Sequence, residues 1–207
     1  MSVLGVRLRQ RGEMWALPGG RAMRFEAVQH IDAGRVAFRW RARFGAGPLR
    51  PLVVTDAYED GAGLLEGRLA GVRLFRSRGP GVDRGQAMRY LAELAWLPRD
   101  AWANPAIRWT AIAAGEAEAA ADSAGGRAAV RLRIDEGGDV LEAFAPDRPR
   151  AEGGRSVPTP WRGAFSDHGE LGGLRVPRRA EVAWELPEGP FTYWRAEVTD
   201  LEVVTAA

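Results

Sequence analysis

Few residues in this chain could do chemistry, and the first to consider are Ser166-Asp167-His168. A serine hydrolase triad needs its three groups to converge from separate elements, with the acid orienting the histidine. In an extended segment Ser166 and His168 share one face and Asp167 points to the other. The run Asp167-His168-Gly169-Glu170 also reads as a hairpin turn, so these residues are not expected to form a nucleophilic centre. His30 and His168 are the only histidines and cysteine is absent. A three-histidine metal site and every thiolate chemistry are thereby excluded, and no metal or other cofactor is expected. All 29 basic residues are arginine, which removes Schiff-base lysine chemistry and the phosphate-loop lysine. Asp60-Gly61-Ala62-Gly63 and Gly45-Ala46-Gly47 are glycine-rich, but no helix follows either one. They read as turns rather than phosphate cradles.

The more informative residues are polar ones in phase with apolar rows. Gln29 follows the parity of Phe25, Ala27 and Ile31, Asp56 that of Leu52, Val54 and Tyr58, and Gln10 that of Leu4, Val6 and Leu8. A carboxylate turned inward must find a partner, bind something or titrate upward. The other register, with Val53, Thr55 and Ala57 inward, would leave Asp56 outside. Eight tryptophans, at positions 15, 40, 96, 102, 109, 161, 184 and 194, either fill the core or line a wide apolar interior.

The elements that must position these residues are mostly strands. Val36, Phe38, Trp40, Ala42 and Phe44 alternate with Arg39, Arg41 and Arg43, and Val130, Leu132 and Ile134 alternate with Arg131 and Arg133. Period-two alternation marks half-buried strands, here with one apolar and one arginine face. Further strands are expected over Ala22–Ile31, Pro51–Glu59, Leu64–Ser77, Ile107–Ala113, Val140–Pro146, Trp161–Asp167, Glu181–Leu186 and Phe191–Val203, and a strand and turn over Ala113–Ala124. Turns are expected at Pro18-Gly19-Gly20, Gly45-Ala46-Gly47-Pro48, Asp60-Gly61 and Gly137-Gly138, and a loop over Ala145–Pro160. One helix is expected over Arg84–Leu97, capped by Asp83 with Gln86 at capping-box spacing and stopped by Pro98.

About 10–12 strands and one midway helix do not suit a parallel α/β fold. The expected class is mainly β (α+β): a strongly curved antiparallel sheet or half-barrel wrapped around the helix, as a single domain over 1–207. The arginine rows face away from Phe38, Trp40 and Phe44. They read as a solvated outer face, and nucleic acid is not the expected partner, since its readers place aromatics beside the basic residues.

The run Arg89-Tyr90-Leu91-Ala92-Glu93-Leu94-Ala95-Trp96-Leu97-Pro98, with Phe25-Glu26-Ala27-Val28-Gln29, Val54…Asp56-Ala57-Tyr58, Pro160-Trp161-Arg162-Gly163 and Tyr193-Trp194-Arg195, resembles an uncharacterised bacterial family built on a domain of unknown function. That resemblance carries no activity. Its members often bear extra N-terminal sequence, sometimes an apolar anchor. The expectation is therefore cytoplasmic as written, and periplasmic or membrane-anchored if such a segment has been removed. The inferred architecture is also similar, at fold level, to half-barrel lipoprotein carriers and lipid-binding lipoproteins.

Three functions remain open. The first is binding or carrying an apolar small molecule or lipid in the concave face, with Gln29, Trp40, Asp56, Tyr58, Trp109 and Trp161 as the ligand-binding residues. The second is a cofactor-independent enzyme for a hydrophobic small molecule, with Asp56 as general acid or base. The third is a protein that binds anions on its outer surface. Whether there is turnover, and the oligomeric state, do not follow from these residues.

Overall fold

The computed structural model describes residues 3–46 and 49–206. Thirteen strands form one sheet: β1 (Val3–Met14), β2 (Met23–Asp32), β3 (Phe38–Ala46), β4 (Leu49–Glu59), β5 (Ala62–Leu69), β6 (Val72–Ser77), β7 (Arg108–Ala113), β8 (Glu116–Ser123), β9 (Gly126–Ile134), β10 (Val140–Glu152), β11 (Arg155–Leu171), β12 (Leu174–Leu186) and β13 (Gly189–Thr205). Their order is β6-β5-β4-β3-β2-β1-β13-β12-β11-β10-β9-β8-β7, with every neighbouring pair antiparallel. The sheet is thus two meanders joined where β1 meets β13, curled into a half-barrel. Among the described residues there is one α-helix, α1 (Pro80–Ala92), which connects the two edge strands and packs on β4 and β5 from one meander and on β8, β9 and β10 from the other. Two 3₁₀ segments, Glu93–Trp96 and Arg99–Ala103, continue it.

Alternation set the faces as expected. Val6, Leu8, Phe38, Trp40, Ala42, Phe44, Val130 and Leu132 are buried. Arg9, Arg39, Arg41, Arg131 and Arg133 are exposed, and Arg7 is half-buried on the same outer face. Outer arginines meet acids across strands: Arg11 with Glu197, Arg39 with Glu59 and Arg195 with Glu181. Asp60 and Gly61 both take positive φ, 50° and 79°, the geometry of a tight two-residue hairpin.

Several expectations are corrected. Leu4 is out of phase and 51% exposed, because an irregularity between Val3 and Gly5 shifts the β1 register. Leu64–Ser77 is two strands split at Ala70 and Gly71, both at positive φ. Ala145–Pro160 is not a loop: β10 and β11 run through it, with Pro149 facing Pro158. Two prolines directly opposite occupy a pair in which neither N–H is needed by the partner strand. The Asp167–Glu170 turn is absent, since β11 continues to Leu171. Asp167 sits at φ 56° within the strand, and the reversal falls at Gly172-Gly173. The expected turn at Gly45-Ala46-Gly47-Pro48 includes Gly47 and Pro48, which lie outside the described residues. The helix begins earlier than expected, with Gly79 at its N-cap and Pro80 in the first turn, a place where a missing N–H costs nothing. Asp83 lies inside the helix, and its carboxylate accepts the Gly63 amide of β5 at 2.7 Å. It fastens the helix to the sheet instead of capping it.

Candidate functional site

Asp56 points inward, as its phase implies, and its side chain is 13% exposed. It meets the helix. Arg89 Nη1 donates to Asp56 Oδ2 at 2.5 Å, and Gln86 Nε2 donates to Asp56 Oδ1. Arg89 Nε donates to Glu93 Oε1 at 2.7 Å, and Gln29 Nε2 donates to Glu93 Oε2 at 2.5 Å. From Gln29 the chain of bonds continues through Gln10 Nε2 to Gln29 Oε1 (3.2 Å) and Trp40 Nε1 to Gln10 Oε1 (2.9 Å). Four strand residues and three helix residues therefore form one buried polar string. Gln86, Arg89 and Glu93 stand at i, i+3 and i+7, which puts them on one face of the helix.

The guanidinium of Arg89 lies 4.7 Å from the Phe38 ring centroid and 5.4 Å from that of Trp40. Burial alone would lower its pKa, but the charges and hydrogen bonds of Glu93 and Asp56 outweigh that and hold it above the ordinary arginine value. It stays a cation. Burial pushes Asp56 above the usual carboxylate range, although the charges of Arg89 and Arg148 pull the other way. Among the described residues one polar atom of the cluster lacks a partner: Gln86 Oε1, on a residue 6% exposed. With Asp56 ionised the amide nitrogen must face the carboxylate, so the orphan is the acceptor oxygen.

A second polar group adjoins the first. Arg148 on β10 is 8% exposed. Its Nε donates to the Gly85 carbonyl at 3.2 Å, next to Gln86, and its Nη1 donates to Tyr193 Oη at 3.1 Å. Trp161 Nε1 also donates to Tyr193 Oη, at 3.0 Å. The guanidinium lies 4.6 Å from the Trp161 ring and 5.5 Å from the Trp184 ring, and Trp184 stacks on Tyr193. Among the described residues no carboxylate lies within ion-pair distance of Arg148.

Gln29, Trp40 and Asp56 thus join one network. Tyr58 is buried one alternation beyond Asp56 and pairs with Phe38 and Gly63. Trp161 belongs to the Arg148 group. Trp109 stands apart: it stacks on Trp102 at 5.2 Å and donates to the Trp102 carbonyl. Arg89, Glu93 and Arg148 were not singled out as site residues by sequence reasoning, and Gln86 was read only as a helix cap. The i, i+3, i+7 polar stripe was a usable signal for the first three, whereas Arg148 was hidden in the supposed loop. His168 contacts the Val140 carbonyl and Asp167 takes Arg178, so the Ser166-Asp167-His168 run assembles no triad.

Beyond the helix, the same inner face continues as Leu52, Phe44 and Phe25, which pair across β4, β3 and β2. Cross-strand partners share a face. Leu52 pairs with Leu69 and Leu69 with Val72, while Val54 pairs with Gly67 and Gly67 with Phe75. Leu69, Val72 and Phe75 therefore lie on the inner face at the β6 edge, yet they are exposed, Val72 by 70%. Two open depressions lie elsewhere. One, of about 340 Å³, is at the rim near His30, Asp32 and Arg39, and one, of about 270 Å³, is beside Trp15 and Phe191. Neither is lined by Asp56 or Arg148. Among the described residues no cluster of three or more metal-ligating side chains occurs, and no helix is long and apolar enough to cross a membrane.

A family model described as a family of unknown function (DUF6544) matches residues 2–196. No curated protein matches the chain. Among solved structures, a Vibrio parahaemolyticus domain provisionally named an outer membrane lipoprotein-sorting protein is 11% identical, with a TM-score of 0.58 over 98% of this chain and 86% of that one. A LolA superfamily protein from Nitrosomonas europaea is 9% identical, with a TM-score of 0.52 over 100% of this chain and 89% of that one. A DUF1329 family protein from Desulfovibrio piger, also 9% identical, has a TM-score of 0.52 over 100% and 88%. At these identities the likeness is one of fold.

Proposed function

We propose that this chain, which belongs to the DUF6544 family of unknown function, binds a lipophilic small molecule or acyl chain in the concave face of its half-barrel. The observation that carries the reading is the exposure of Leu69, Val72 and Phe75 on the inner face, continuous with Leu52 and Phe44. Apolar groups in a soluble sheet normally turn to the core, and a contiguous apolar surface left open marks a place where something binds. Gly67 strengthens the reading: a Cβ there would come within 2.2 Å of the Phe75 ring, so the glycine lets that ring lie flat across β5. Two proteins of this fold are named for lipoprotein sorting or for the LolA superfamily, which favours a greasy cargo over a polar one. Among the proposed ligand residues, Trp161 lies beside Arg148. Gln29, Trp40 and Asp56 belong to the polar string that supports the helix side, and Tyr58 is packed behind them. Trp109 has no part in this surface.

The test is native mass spectrometry of the full chain purified without detergent, before and after incubation with dodecanol. The expected result is a one-to-one adduct, either co-purified or formed on incubation, that is lost in Leu52→Arg. No adduct under either condition, with a folded protein, would overturn the reading.

A further inference from the structure

We propose that Arg148, together with the Tyr193 hydroxyl, forms a subsite for an oxyanion, so that the lipophile is an amphiphile carrying a single carboxylate or phosphate head. The proposal rests on the apolar-ligand reading above and adds the chemistry of the head.

Arg148 is more than nine-tenths buried, and a buried cation is normally paired with an acid. Its hydrogen bonds go to two neutral acceptors, the Gly85 carbonyl and Tyr193 Oη. A guanidinium has five N–H donors, and two of them are accounted for. The Trp161 and Trp184 rings flank the cation, with centroids 4.6 Å and 5.5 Å from it. Tyr193 Oη accepts from both Arg148 and Trp161. A phenol oxygen filled as an acceptor still has its own hydrogen to give. Arg148 and Tyr193 thus both offer donors, and two donors beside one cation suit an oxyanion. Trp184 and Tyr193 are only half-buried, so the group opens toward solvent.

A second unsatisfied polar atom lies close along the chain, Gln86 Oε1. It sits one residue from the carbonyl that holds Arg148, and no described donor reaches it.

The experiment titrates the full chain with dodecanoate, monododecyl phosphate and dodecanol. It follows the fluorescence of the tryptophans beside Arg148, in a buffer at pH 8. One or both anionic probes are expected to bind at least tenfold tighter than dodecanol, and whichever is tighter identifies the head. Arg148→Met should abolish that difference. Should that variant not fold, Tyr193→Phe, which keeps the ring stacked on Trp184, should narrow the difference several-fold. Equal binding of all three probes by the wild-type protein would overturn the oxyanion subsite while leaving the apolar reading intact. Failure of all three to bind would overturn both. An anion preference that survives unchanged in Arg148→Met would also sink the proposal.

Discussion

Arg89→Met is the perturbation that tests the polar string most directly. The arginine holds two carboxylates whose side chains are 13% and 7% exposed. Removing one member of a buried ion pair typically costs about 3–5 kcal/mol, because the remaining charge is left unpaired. Here two carboxylates are stranded, and the cation also leaves the faces of Phe38 and Trp40, worth roughly 0.5–2 kcal/mol. Methionine keeps most of the stem's packing, so about 4 kcal/mol is the working figure. Against a typical stability of about 5–15 kcal/mol this is a large fraction, and for a chain of this size it lowers the melting temperature by roughly 10 °C. The assay is urea unfolding at pH 8 and at pH 5. In the variant both carboxylates are buried with no cation beside them, so neutralising them by acid relieves the stranded charge and favours folding at low pH, and that relief disappears as pH rises. The gap from wild type must be widest at pH 8 and narrower at pH 5. Adding Asp56→Asn and Glu93→Gln should recover most of the loss, since a neutral network strands no charge. A cost below about 1 kcal/mol at pH 8, or a gap that does not narrow on acidification, refutes this reasoning.

Three further outcomes are expected. Asp56 itself is raised by burial, so in the wild-type protein its contribution is fully present below the ordinary carboxylate pKa and is lost as pH rises through its folded value. Asp56→Asn should therefore flatten the dependence of unfolding free energy on pH between 5 and 8, and an unchanged slope would contradict the assignment. Gly125→Ala would place a Cβ 1.8 Å from the Pro80 carbonyl oxygen, where the helix N-terminus rests on the β8–β9 turn. Overpacking against backbone costs about 1–3 kcal/mol, readable by denaturant unfolding. Arg39→Gln with Arg41→Gln, both on the outer face, should move stability by less than about 1 kcal/mol in the same assay, the Arg39–Glu59 pair being exposed.

What could be read in advance, and what could not, follows from where each residue's constraint lies. The strands with arginine rows declared their faces because period two couples every side chain to water or to the core. The same parity placed Gln29, Trp40 and Asp56 inward before any contact was known. Parity says nothing about what lies opposite, however. The partners of Asp56 and Gln29 come from a helix that joins the two edges of the sheet, a long-range consequence of β1 pairing with β13. The helix also hid its polar stripe: Met88, Tyr90, Leu91 and Ala92 are buried along with Gln86, so apolar spacing alone pointed to only part of its buried surface. Arg148 was obscured for a different reason. Pro146, Pro149, Pro158 and Pro160 surround Gly153-Gly154, a composition that reads as loop. The hairpin survives because β12 pairs with β11 only from Trp161 onward, which leaves Pro158 and Pro160 no ladder on that side to interrupt. Proline there marks strands with a free edge, and this hairpin carries Arg148 on β10 and Trp161 on β11 to the inner face. The residues with the strongest claim to a ligand thus lie where local propensity and tertiary structure disagree. Such disagreement is expected where a sequence gives up local consistency to build a site.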